Sequence, residues 1–104
     1  MPDLGEAIAR LLATIYLRAN WKQIARGRDP LDVFQHRVLA AAYQPTLKQF
    51  IEKLCRGLGI QGVRIDDELL GFLEEHEERV LEELRSSSVY YVARAYNMVR
   101  QQRR

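Results

Sequence analysis

Residues 45–58, PTLKQFIEKLCRGL, carry the clearest helical pattern in this chain. Their apolar residues recur at the spacing of one helical face, and they are Leu47, Phe50, Ile51, Leu54, Cys55 and Leu58. Pro45 suits the first turn of a helix, where its missing N–H is not needed. Gly57 or Gly59 can supply the left-handed residue that ends it. We therefore predict a helix here, and we expect the other helices to pack around it.

The composition of the whole chain favours one all-α domain over residues 1–104. Apolar residues make up 47% and charged residues 29%, which are ordinary values for a globular protein. Proline and glycine are few, and no long alternation of β-branched residues is present. No apolar run reaches the roughly 18–20 residues of a membrane span. We predict a small antiparallel bundle of four or five helices, whose basic end at 100–104 is expected to fray.

The predicted first helix has an apolar face that changes side. Asp3 can cap it, and the pattern covers residues 4–26. Its first half places Leu4, Ile8, Leu11, Leu12 and Ile15 on one face. Beyond them, that face is continued by three cations, Arg18, Lys22 and Arg26. The apolar residues of the second half lie on another face, and they are Leu17, Trp21 and Ile24. Either the helix bends or breaks near residues 18–20, or its second half packs on a different neighbour.

The remaining helices are predicted from cap and break signals. Asp29 is a good N-cap and Pro30 a good first helical residue, and a second helix follows to about residue 43. Either aspartate of the pair 66–67 can cap a fourth helix. The serines at 86–88 favour caps over a helix interior, so we expect a break there and a fifth helix over 89–102. One continuous helix from residue 67 onwards is the alternative.

Charge is unevenly distributed along the chain, although the net charge is only +2. Residues 1–64 carry ten lysines or arginines against five acids, and residues 65–85 carry nine acids against two arginines. Residues 86–104 carry four arginines and no acid. Such asymmetry predicts charged docking to a partner. The alternative is internal neutralisation, in which the acidic helix lies against the basic ones.

The sequence contains no recognisable catalytic or metal-binding pattern. His36 and His76 belong to no Glu-x-x-His or His-Glu-x-x-His pair, and His76 falls on an apolar helical stripe. The single cysteine, Cys55, is predicted to be a buried small hydrophobe. The glycine-rich stretch 57–62 lacks the Gly-Lys-Ser/Thr ending of a phosphate loop. We predict no enzyme, no metal and no cofactor, and a free cysteine without a signal peptide favours a cytoplasmic protein.

Binding is therefore the predicted function, as an accessory subunit that contacts nucleic-acid backbone within a larger assembly. Its predicted phosphate contacts are Arg18, Lys22, Arg26, Arg28, Arg94, Arg100, Arg103 and Arg104. The alternative is a protein–protein adaptor or oligomerisation module without nucleic acid, which uses the acidic helix 66–85 and the apolar faces of the first helix. Its predicted contacts are Trp21, Glu74, Glu78 and Glu82. Partner subunits or further copies of the chain are expected, and a membrane is not.

Overall fold

Residues 3–102 are described by a computed structural model, and they form six α-helices. This result confirms the predicted all-α fold, with more helices than the four or five expected. The helices, in chain order, are α1 Leu4–Arg18, α2 Trp21–Ala25, α3 Pro30–Ala41, α4 Leu47–Gly57, α5 Asp67–Glu75 and α6 Glu77–Gln102.

The predicted first helix is in fact two helices, because the chain breaks after Arg18. Ala19 adopts an extended conformation, with φ −77° and ψ 144°. The side chain of Asn20 then caps α2 by accepting a hydrogen bond from a backbone N–H of that helix at 3.3 Å. The Trp21 indole N–H donates to the Tyr16 carbonyl at 2.8 Å and so satisfies a carbonyl near the end of α1. A break near residues 18–20 was one of the two predicted outcomes.

Side chains also set where α3 and α4 begin. Asp29 caps α3 as predicted. The start of α4 differs from the prediction, because Thr46 is the N-cap and Pro45 lies outside the helix. The start of α4 has a second capping bond, in which the carboxylate of Glu77, at the start of α6, accepts a hydrogen bond from the Leu47 N–H at 2.7 Å. This second cap comes from an element 30 positions away along the chain, so no local pattern indicates it.

The acidic region breaks at His76 and only bends at the serines. Asp66 caps α5 as predicted, and α5 ends at Glu75. His76 is an exposed C-cap whose ring meets that of Phe72 edge-on at 4.9 Å. The prediction that His76 lies on the apolar face of a helix is therefore wrong, because the helix ends there. Helix α6 runs through the serines with one non-helical residue, Ser87, at φ −136° and ψ 32°. This kink is intermediate between the two predicted alternatives, a break and a continuous helix.

The kinked part of α6 is anchored to α3 by polar side chains. The buried Ser88 hydroxyl accepts a hydrogen bond from Gln35 Nε2 at 2.8 Å. Arg85 donates from Nε to the Ala42 carbonyl at 2.6 Å and from Nη2 to the Gln44 carbonyl at 2.9 Å. A cation at this position also complements the negative end of the α3 macrodipole. One of the serines 86–88 was predicted to cap a helix, and Ser88 serves instead as a contact between helices.

Helix α6 is the centre of the bundle, a place that we predicted for α4. It packs against α1, α3, α4 and α5, whereas the main contacts of α4 are with α3 and α6. With 26 residues α6 is the longest helix of the described chain, and it therefore reaches several neighbours. The predicted apolar face of α4 is nevertheless buried, except for the half-buried Ile51. The largest fully buried side chains include Ile8, Leu11, Leu12, Ile15, Phe34, Leu47, Phe50, Leu54, Leu58, Leu73 and Leu84.

An aromatic cluster around Tyr16 attaches the short helix α2 to the rest of the bundle. The Tyr16 ring centroid lies 4.7 Å from that of Trp21, 5.2 Å from that of Phe34 and 6.0 Å from that of Tyr96. Aromatic pairs at such distances add stabilisation beyond the area that they bury. The cluster joins α1, α2, α3 and α6 and thereby positions the basic segment that follows Trp21.

Candidate nucleic-acid interface

A concave surface beside α2 is lined by three arginines, and we call it the arginine groove. It lies between α2, the turn that follows α2, the middle of α3 and the C-terminal end of α4. Its volume is about 420 Å³. The residues that line it are Asn20, Gln23, Ile24, Arg26, Arg28, Arg37, Gly57, Leu58 and Gly59. Basic side chains from two separate segments of the chain, the turn after α2 and helix α3, therefore meet on one surface.

The backbone of the turn after α2 places two of these arginines. Arg26 is the C-cap of α2 and has left-handed dihedral angles, φ 50° and ψ 50°. It is the one residue other than glycine with a positive φ among residues 3–102. Gly27 follows at φ 87°, and Arg28 Nε donates to the Ala25 carbonyl at 3.3 Å. A bulky residue in the left-handed region is uncommon and stores strain, which recurs at functional sites.

The other wall of the groove is built on glycines at the end of α4. A Cβ at Gly57 would lie 3.3 Å from Arg37 Cδ, so the aliphatic part of Arg37 rests against this glycine. Gly59 has φ 68°, and a Cβ there would lie 3.3 Å from Ile24 Cδ1. The two glycines therefore allow α3 and α2 to approach the end of α4 closely.

The groove has no acidic counterpart within the described part of the chain. No carboxylate residue is among those that line it. Among residues 3–102, the contacts within 4.0 Å between a basic and an acidic side chain are His36–Asp32 and Arg94–Asp3, both at 3.7 Å. The alternative of internal neutralisation predicted pairs between the acidic helix and the basic residues of the first helix. No such pair is present among the described residues.

The predicted row of Arg18, Lys22 and Arg26 does not form one helical face. The break at residues 19–20 leaves Arg18 at the end of α1, Lys22 within α2 and Arg26 in the left-handed C-cap. All three are exposed. Arg18 lines a second concavity of about 480 Å³ together with Gly62, Val63 and Arg64. The cations thus surround the end of the first helix, and Arg26 alone of the three lines the arginine groove.

The basic residues predicted near the C-terminus do not all join this surface. Arg94 lies beside the start of α1, where its Nη2 is 3.7 Å from Asp3 and its guanidinium carbon is 6.0 Å from the Tyr90 ring centroid. Because α1 is about 20 Å long, this position is far from Arg18 at the other end. Arg100 lies over the ring of Tyr96 at 5.9 Å. The predicted contacts Arg103 and Arg104 lie outside the described residues.

The predicted apolar contacts of the first helix are largely used inside the molecule. Trp21 is half-buried between the rings of Tyr16 and Phe34, and its N–H is bonded to a carbonyl. Ile24 is half-buried and packs on the core, whereas Leu17 is 44% exposed. Trp21, which we predicted as a partner contact, thus has a clear structural role in holding α2.

The acidic residues predicted as partner contacts lie at the surface. Glu74, Glu78 and Glu82 are all exposed, and no cation of the described chain lies within 4.0 Å of them. Glu74 also borders a concavity of about 580 Å³. We call this concavity the apolar groove, because its floor consists of Ile51, Val63, Ile65 and Leu70. It lies between α4, the segment before α5, and α5 itself.

Metal or nucleophile chemistry finds no support in the described residues. Residues 3–102 contain no group of three or more His, Cys, Asp or Glu side chains close enough to hold a metal ion. Burial raises the pKa of the Cys55 thiol, which disfavours the reactive thiolate. His36 is exposed and lies beside Asp32.

The sequence pattern missed several residues of the arginine groove, chiefly Arg37 and the polar pair Asn20 and Gln23. Arg37 lies off the apolar stripe of its helix, so the pattern predicted only that it would be exposed. Its position opposite Arg26 depends on how α3 packs against α4, which no local spacing encodes. The glycines of 57–59 were predicted to end a helix, and their contact with the groove was not.

Comparison with known proteins adds no relative to this description. No protein-family model, no curated protein and no solved structure matches the chain. Within residues 3–102, no helix is both long enough and apolar enough to cross a membrane.

Proposed function

We propose that this chain is a non-catalytic binding subunit that contacts the backbone of nucleic acid through the arginine groove. The observation that supports this proposal is the convergence of Arg26, Arg28 and Arg37 on one concave surface without a carboxylate. Three guanidinium groups have no acid close enough to neutralise them, so a polyanion is the natural counter-charge. Arg18 and Lys22 extend the positive surface beyond the groove.

The wall of the groove favours contact with phosphates over reading of bases. Arginine binds phosphate oxygens in a bidentate manner, and such contacts carry no sequence information. No aromatic side chain is among the lining residues, and the nearby Trp21 packs inward. Stacking on aromatic rings is the usual basis for holding unpaired bases. We therefore expect binding with little sequence preference.

Salt dependence tests the proposed contacts quantitatively. In duplex DNA each neutralised phosphate charge contributes about −0.9 to the slope of log K against log salt, so three neutralised charges predict a loss of roughly 40-fold between 50 and 200 mM salt. Fluorescence anisotropy with single- and double-stranded DNA and RNA measures this slope. Replacing Arg26, Arg28 or Arg37 by glutamine should lower the slope by about one each.

A matched control separates the groove from general charge. Arg79 is exposed on the acidic part of α6, so Arg79→Gln removes the same charge at another surface. It should leave binding and slope unchanged. Equal losses in Arg37→Gln and Arg79→Gln, or no binding to any of the four nucleic acids, would refute the proposal.

A second candidate function is docking of a partner protein on the acidic side of the molecule. It is favoured by the apolar groove, whose border carries Lys48 and Arg64 as well as Glu52 and Glu74. The exposed Glu78 and Glu82 on the adjoining helix add negative charge beside it. Such a surface suits a segment whose apolar side chains fill the floor and whose basic side chains reach the glutamates of α6. Sedimentation velocity of the wild type and of the triple Glu→Lys variant at Glu74, Glu78 and Glu82 tests self-association. A monomer that captures no basic partner would exclude this function.

A further inference from the structure

We propose that the arginine groove takes the phosphate monoester at one end of a nucleic-acid strand. This inference rests on the proposed function, because it names the part of the nucleic acid that the same site binds. Four features carry it: the charge of the groove, its concave shape, the contacts that two arginines make within the protein, and a lining without aromatic rings.

The charge of the groove exceeds what one internal phosphate needs. Arg26, Arg28 and Arg37 provide three positive charges, and no acid lines the wall. An internal phosphodiester has one negative charge, whereas a phosphate monoester has about −1.5 to −2 at pH 7 and three free oxygens. The monoester therefore matches the number of guanidinium groups better.

The shape of the groove points to the same ligand. Its volume of about 420 Å³ lies within the range of small-molecule sites. An internal phosphate continues into the chain on both sides, and a duplex presents a convex surface. A strand end can enter a concavity with its terminal phosphate foremost while the rest of the strand leaves through the open side.

Two of the three arginines, although exposed, make contacts within the protein that favour particular side-chain positions. Arg28 Nε is bonded to the Ala25 carbonyl at 3.3 Å, and Arg37 rests against Gly57. Holding these side chains before binding lowers the conformational entropy that the ligand must overcome. The side chain of Arg26 makes no hydrogen bond or ion pair with another described residue. Its guanidinium is therefore available to the third oxygen of a terminal phosphate.

The lining residues explain why the end would be recognised by phosphate alone. Apart from the arginines they are the amides of Asn20 and Gln23, the aliphatic side chains of Ile24 and Leu58, and two glycines. A base stacked in this groove would meet no aromatic face. Phosphorylation of the end, and not its base, is thus the property that the groove would distinguish.

The experiment uses one single-stranded oligonucleotide with an internal fluorophore, prepared with a 5′-phosphate, with a 3′-phosphate, or with hydroxyls at both ends. Anisotropy titrations of the full chain at pH 7.5 should show one phosphorylated form bound about tenfold more tightly than the hydroxyl form, which corresponds to about 1.4 kcal/mol. At pH 5.5 the monoester loses its second charge, since the second pKa is about 6, and the preference should shrink. Arginine does not titrate in this range, so the hydroxyl form serves as the internal control.

Variants connect the preference to the groove. Arg37→Gln should abolish the tenfold preference while Arg79→Gln preserves it, and circular dichroism verifies that both variants are folded. Equal affinity for the three oligonucleotides would overturn this inference and leave the proposed function standing. A lack of binding to all three, at low salt as well, would overturn both.

Discussion

Arg26→Gly offers the sharpest test of the geometry, because it should raise stability and weaken binding at once. Arg26 has φ 50°, a conformation that disfavours residues with a Cβ by roughly 1–2 kcal/mol. Glycine adopts it freely but loses more conformational entropy on folding, which offsets about 0.5–1 kcal/mol. The side chain is exposed and has no partner among the described residues, so little else is lost.

The expected net gain is about 0.5–1 kcal/mol. For a domain of this size that gain corresponds to a rise in Tm of about 3–6 °C. Thermal unfolding followed by far-UV circular dichroism measures it, and urea unfolding with an unchanged m-value confirms that native stability has changed.

Arg26→Ala is the control for this experiment, since it removes the same side chain and keeps the strained backbone. It should leave Tm nearly unchanged. Both variants lack the guanidinium, so both should weaken oligonucleotide binding equally and lower the salt slope by about one. If the glycine variant is no more stable than the alanine variant, the left-handed backbone carries no cost and the reasoning fails.

Three further predictions concern the stability of the fold. Gly59→Ala should destabilise the fold by about 1–2 kcal/mol, because φ is 68° and the added Cβ meets a side chain of α2, whereas Gly71→Ala, in open space within α5, should stabilise it by about 0.5–1 kcal/mol in urea unfolding. Ser88→Ala should lower the free energy of unfolding by about 1–2 kcal/mol, because it removes the hydrogen-bond partner of Gln35 Nε2, and Gln35 Oε1 is already buried without a partner. Adding Gln35→Met to this variant should recover most of the lost stability. Burial is the main cause that raises the pKa of Tyr91 to about 12, and a hydrogen bond to the Glu83 carboxylate adds to it. The stabilisation from the neutral Tyr91 should therefore be fully present below pH 10 and be lost as the pH rises towards 12. Tyr91→Phe should flatten this part of the plot of unfolding free energy against pH.

The local caps show how far neighbouring residues specify this fold. Asp29 and Asp66 begin helices as predicted, because a cap needs only one side chain and the next turn of backbone. The start of α4 was predicted less well. Thr46 is the N-cap, whereas Pro45 was predicted to lie in the first turn. The carboxylate of Glu77, distant in the sequence, adds a second capping bond. The break at His76 was missed, since the apolar spacing continues through it.

The arginine groove, in contrast, is specified more by tertiary packing than by neighbouring residues. The sequence indicated an excess of cations near residues 18–28, and their exposure follows from the cost of burying an unpaired charge. Which of them share a surface was not indicated. Arg37 joins Arg26 and Arg28 because α3 packs on the end of α4, whereas Arg94 lies beside the start of α1.

The sequence by itself determined an all-α chain, most of its caps and the apolar face of α4, because these depend on residues within one or two helical turns. Tertiary structure decided that α6 is the centre and which of the two predicted outcomes holds for the first helix. It also decided that Arg26 and Arg28 meet Arg37 of another helix beside the glycines of 57–59. The physical reason is that helix packing depends on the shapes of whole faces, including the close approach that a missing Cβ permits. Those shapes exist only once the helices are assembled.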